Sequence, residues 1–106
     1  MTFDIENKGN SYVGKIVGRL DTSAAQKFAN DIEPLIDNAD KAIYMDCSGL
    51  DFISSSGLRL FLSLRKATIA KGGDITIVGI KDEVKQVFSI TGFYSLFKFE
   101  DCMPAL

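Results

Sequence analysis

The sequence predicts one α/β domain over residues 1–106, a mixed β-sheet with helices packed against it in the order ββαβαβαβ. Three observations predict it. Apolar and polar residues alternate near the N-terminus on both sides of a turn-forming stretch. Apolar residues then recur at helical spacing behind capping clusters, and β-branched runs separate those helical segments by short connections. With 106 residues, 46% hydrophobic, the chain can bury a core without disulfides or metals, and no internal repeat or low-complexity linker divides it.

Phe3 and Ile5, then Tyr12, Val13, Ile16 and Val17, flank Asn7-Lys8-Gly9-Asn10, whose residues suit the turn of a hairpin. Asp21-Thr22-Ser23 supplies N-cap side chains for a helix carried by Ala25, Phe28, Ala29, Ile32 and Ile36. Pro34 sits late in that pattern, where it removes an N–H and crowds the preceding turn, so the helix should kink or end early. Lys41 to Cys47 reads as a mostly buried strand and Gly57 to about Ala70 as the second helix. Gly72-Gly73 lacks the frame of a phosphate-binding loop and reads as a helix-to-strand turn. Asp74 to Val78 is a β-branched strand, Val84, Val87 and Phe88 mark a helix starting near Lys81 or Asp82, and Leu96 to Phe99 closes as a short strand. Phe93, Tyr94, Phe97 and Phe99 read as core and C-terminal packing.

Several function classes are excluded on composition. A net charge of −2 with no Lys/Arg block gives no field for nucleic acid. No segment is long and apolar enough for membrane insertion, and the N-terminus lacks the basic and apolar regions of a secretion signal, so a cytoplasmic protein is expected. Cys47 and Cys102 stand far apart and form no C-x-x-C pair, which favours reduced, buried thiols; with no His, neither a metal site nor another cofactor is expected. A nucleophilic-serine enzyme would need an activating base, and there is no His, no G-x-S-x-G and no Ser-x-x-Lys at the serine cluster.

The run from Asp46 to Leu58 carries the functional signal, because an apolar segment gives way to Ser54, Ser55 and Ser56 just as a helical pattern begins. Free backbone N–H groups and the positive end of the helix dipole meet there. The site can take a hydroxyl as a cap or a phosphate as an anion.

Gly18-Arg19-Leu20-Asp21, the central run Asp46-Cys47-Ser48-Gly49-Leu50-Asp51-Phe52-Ile53-Ser54-Ser55-Ser56-Gly57-Leu58 and Thr91-Gly92-Phe93-Tyr94-Ser95-Leu96-Phe97 make the chain resemble the STAS family, the small α/β domains of bacterial anti-sigma factor antagonists. The resemblance covers nearly the whole chain and implies a STAS-like fold. It implies a phosphorylated serine at Ser55 with Ser56 as its neighbour; Ser54 stands where an acidic residue is common in the family. It also implies partner switching without catalysis. The unmodified domain binds an anti-sigma factor that is itself a serine kinase of the histidine-kinase-like ATPase fold, releasing a sigma factor. Phosphorylation ends that binding and a metal-dependent serine phosphatase restores it. A STAS accessory, scaffold or small-ligand sensor subunit, for example of an ABC lipid transporter, is the alternative.

A phosphoserine adds about −1.5 to −2 charges, which a helix N-terminus tolerates, so the switch is expected at an interface rather than through unfolding. Helical projection puts Leu60, Phe61, Leu64 and Thr68 on one stripe, read as core. Leu58, Leu62, Arg65 and Ile69 form another stripe that runs back toward Ser55. Leu58, Arg59 and Leu62, with Ser54, Ser55, Ser56, Gly57 and Asp21, are therefore the expected partner-binding set, against the reading that both stripes are buried. Asp21 can cap the first helix or touch the partner. Asp46 can orient the Ser54–Ser56 backbone or join a kinase-facing polar patch.

Overall fold

The computed structural model describes residues 1–106 as a five-stranded sheet with helices against it. Strands β1 (Thr2–Asn7) and β2 (Ser11–Leu20) form the expected antiparallel hairpin, with Asn7 opposite Tyr12. Gly9 takes the left-handed conformation at its tip (φ 91°), and its N–H donates to Asn7 Oδ1 at 2.8 Å. Strands β3 (Ala42–Ile53), β4 (Asp74–Val78) and β5 (Lys98–Glu100) then add in parallel, in the spatial order β1-β2-β3-β4-β5.

Helix α1 (Thr22–Asp31) is capped by Asp21, whose Oδ1 accepts from the Ala24 N–H at 2.8 Å. The helical pattern breaks at Ile32, and Pro34 falls in the first turn of a short second helix, α2 (Glu33–Asp37), where its missing N–H costs nothing. The break shifts the buried phase, so that Leu35 is buried in place of the expected Ile36, which is half-buried. Helix α3 (Ser55–Lys71) ends at Gly72 (φ 84°); the N–H groups of Gly72 and Gly73 both turn back to the Thr68 carbonyl, so the glycine pair is a helix stop. Helix α4 (Asp82–Ile90) leads through a single 3₁₀ turn (Tyr94–Leu96) into β5, which begins two residues later than expected.

Strand β3 departs most from expectation. It does not stop at Cys47 but continues to Ile53, through residues whose polar and glycine content reads as loop. Two bulges explain this. Lys15 faces Asp46 and Val17 faces Gly49, so β3 advances three residues while β2 advances two; from Gly18–Leu50 to Arg19–Phe52 β3 advances two while β2 advances one. Buried positions are consequently spaced by two up to Cys47 and by three afterwards, at Leu50 and Ile53. Asp46 sits at the first bulge and its Oδ1 accepts from the Ser48 N–H (3.1 Å) and hydroxyl (2.7 Å), satisfying groups at the point where the ladder shifts.

The core lies between the helices and one sheet face, and a chain of aromatic contacts crosses it from Phe3 through Phe28, Phe61 and Phe88 to Phe97 and Phe99, with centroids 5.0 to 6.0 Å apart. Tyr94 stacks on Phe99 from outside at 4.7 Å. Cys47 is within the core, where burial, reinforced by Asp46, pushes its thiol well above the ordinary range. Cys102, expected to be buried, is exposed in the tail after β5. No helix is long and apolar enough to cross a membrane.

Candidate functional site

The second half of β3 and the end of β2 together deliver the serine cluster. Leu20, the last residue of β2, accepts at its carbonyl from the Ser54 N–H at 2.8 Å, which latches the turn to the sheet. Ser54 is extended (φ −84°, ψ 168°), and its Oγ accepts from the Gly57 N–H at 3.1 Å: it is the N-cap of α3. The helix therefore begins two residues before the Gly57 start expected from the pattern. Ser55 occupies the first helical position and is exposed; Ser56, next to it, is half-buried. The N–H groups of Ser55 and Ser56 belong to the first turn, where no preceding carbonyl of the helix can accept them. Ser54 thus holds the helix start while the Ser55 hydroxyl faces outward.

Gly57 and Leu58 are corrections to the expected docking set. A Cβ on Gly57 would lie 2.6 Å from Leu20 Cγ, so glycine is there to let the helix approach the end of β2. Leu58 is 2% exposed and packs in the core, because the buried face of α3 consists of Gly57, Leu58, Phe61, Leu64 and Thr68. The expected core residue Leu60 is only half-buried; it lines a shallow depression of about 260 Å³ together with Ser56 and Thr22, Ala25 and Gln26 of α1. Leu62 is half-buried against the core, and Arg65 is held by donating from Nε to the Leu96 carbonyl at 2.6 Å. The exposed ridge that begins at Ser55 runs instead through Arg59, Leu62, Lys66 and Ile69.

Asp21 caps α1 and remains half-exposed at the neighbouring helix start. Asp46 does not orient the Ser54–Ser56 backbone. It lies in mid-strand, bonded to Ser48, on the sheet face away from the core, where with Lys15, Met103 and Pro104 it lines a groove of about 560 Å³. Two features beside the serine turn had no expected role. The Arg19 guanidinium sits 4.3 Å over the exposed Phe52 ring, and Lys81, the residue before α4, pairs with Asp51. Arg19, Phe52 and Asp51 come from the motifs flanking the serines and Lys81 from outside them, and only the bulged register brings Arg19 opposite Phe52.

With this geometry in hand, known proteins offer a comparison. BtrV of Bordetella bronchiseptica, a candidate anti-sigma factor antagonist, is 30% identical over 80 residues, covering 76% of this chain and 69% of BtrV. The anti-sigma-B factor antagonist of Staphylococcus aureus is 27% identical over 85 residues, covering 80% of this chain and 79% of that protein. Among solved structures, the anti-sigma factor antagonist SpoIIAA in its unphosphorylated form superposes with a TM-score of 0.76 at 22% identity, over 92% of this chain and 87% of SpoIIAA. SpoIIAA, described as a Bacillus cell fate determinant, superposes in its phosphorylated form with a TM-score of 0.70, also at 22% identity, over 92% of this chain and 90% of SpoIIAA. The STAS domain model matches residues 2–103, and the chain belongs to the STAS domain family.

Proposed function

We propose that this chain is an anti-sigma factor antagonist that works by partner switching, with Ser55 as the switch. The observation that carries this is the division of labour in the serine turn: Ser54 caps α3 and leaves the Ser55 hydroxyl exposed at the first helical position, in a chain of the STAS family. The anti-sigma factor antagonist names of its relatives and the phosphorylated form of SpoIIAA support the same reading. The unmodified domain docks an anti-sigma factor and frees a sigma factor. The partner, a serine kinase with a histidine-kinase-like ATPase fold, transfers the γ-phosphoryl group of ATP to Ser55 Oγ. The new O–P bond forms as the β–γ bridge breaks, ADP leaves, and the hydroxyl proton passes to a base of the kinase. A metal-dependent serine phosphatase hydrolyses the ester and resets the domain. The chain itself provides the docking surface and the acceptor hydroxyl.

The docking set becomes Ser55, Ser56, Arg59, Leu62 and Asp21, with Gly57 and Leu58 holding the helix from within. A phosphate at Ser55 is compatible with the fold, because it meets free N–H groups and the positive helix end. It opposes docking because a dianion must be desolvated at the interface. The test is mass spectrometry of the protein from its native cell, with pull-downs by unmodified, Ser55→Ala and Ser55→Glu forms. Phosphate on Ser55, and an ATP-binding anti-sigma factor retained by the first two forms but not the third, is the expected result. Retention by Ser55→Glu and by the phosphorylated protein equal to that of the unmodified form overturns the reading.

A further inference from the structure

Helix α3 carries four cations, Arg59, Arg65, Lys66 and Lys71, and no carboxylate, in a chain whose net charge is −2. Two are engaged: Arg65 on the Leu96 carbonyl and Lys71 on the Ile36 carbonyl, at 2.6 and 2.8 Å. Arg59 and Lys66 are exposed and take part in none of the ion pairs of the molecule. Arg59 follows Ser55 by four residues, the spacing at which opposite charges on a helix surface meet. Charged side chains on the adjoining strand and helix ends are already occupied: Arg19 lies over Phe52, Asp21 accepts from Ala24, and Asp51 pairs with Lys81.

Resting on the reading that Ser55 is phosphorylated, we propose that Arg59 is the internal counter-ion of the Ser55 phosphate. In the unmodified chain its guanidinium is free at the surface, next to Leu62, to meet a carboxylate of the docked partner. A phosphate at Ser55 draws it back by one turn into a charge-assisted, two-pronged hydrogen bond. Modification then changes the docking surface twice, adding a dianion at its rim and withdrawing the cation that complemented the partner. Lys66 lies about 16 Å along the axis from Ser55 and stays outside this pair.

The test uses the full chain with phosphoserine incorporated at position 55 and follows the phosphate by phosphorus NMR through its second ionisation, ordinarily near pH 6. Removing the counter-ion with Arg59→Gln should raise the midpoint by about 0.3 pH units, the size of one helical ion pair. Lys66→Gln removes the same charge at a distance and should leave it in place. An unmoved midpoint in Arg59→Gln, or an equal movement in Lys66→Gln, overturns the proposal. No partner is present in this measurement, so its failure is distinct from that of the switch: a phosphorylated chain that still held its anti-sigma factor would remove the switch and leave the pair intact.

Discussion

The two faces of α3 differ in nearly every physical property while sharing one backbone. The inner face, Gly57, Leu58, Phe61, Leu64 and Thr68, is buried against the strands and the aromatic chain. The outer ridge, Ser55, Arg59, Leu62, Lys66 and Ile69, is cationic and interrupted by apolar side chains, Ile69 being 62% exposed. Both faces start within three residues, since Ser54 and Gly57 close the cap that leaves Ser55 outside it. Chemistry at Ser55 can therefore alter what the ridge presents while the inner face stays packed.

Substitutions can break or sharpen this contrast. Phe61→Ala, on the inner face, should cost about 3–5 kcal/mol in denaturant unfolding, since it empties a position between Phe28 and Phe88. Gly57→Ala should cost about 1–3 kcal/mol, because the new methyl meets Leu20; an unchanged midpoint would show that the helix can stand off from β2. The inner face can also be probed by pH through Cys47. Its thiol is raised by burial, so the folded state keeps a proton that the unfolded state loses above its ordinary value of 9.0. Stability should fall as pH rises past that value, by up to about 1.4 kcal/mol per pH unit, and Cys47→Ala should remove that slope. Ser54→Ala removes the cap and should cost about 1 kcal/mol. Arg59→Glu and Lys66→Glu, on the ridge, should each change stability by less than about 0.5 kcal/mol, with Arg59→Glu, in the docking set, weakening retention of the anti-sigma factor. A ridge substitution that unfolded the chain would erase the distinction between the faces.

The elements with strong periodicity were legible in the sequence: the hairpin with its Asn7–Asn10 turn, the break at Pro34 and the glycine stop after α3 all follow from local chemistry. The second half of β3 was not. Pattern reading expects an alternation of two, and a bulged strand replaces it with steps of three that carry Ser48, Gly49 and Asp51 into the sheet. The same miss displaced Asp46, which looks like the edge of a loop in sequence and is the brace of a bulge in the structure. At the site, the exposed serine and its capping neighbour were readable from position. Leu58 was misplaced because the edges of the core stripe were set wrongly: the buried face that holds Phe61, Leu64 and Thr68 takes in Leu58, one turn before Phe61, and leaves Leu60 half-buried.

The doubled step in β3 ties the length of that strand to the aim of everything after it. Deleting one residue at either bulge would restore the ordinary two-residue step, keeping Leu50 and Ile53 inward while drawing the helix start back by about 3.3 Å. Deleting two, one at each bulge, would remove both irregularities and draw the helix start back by about 6.6 Å. Amino acids along this stretch can be exchanged far more readily than their number.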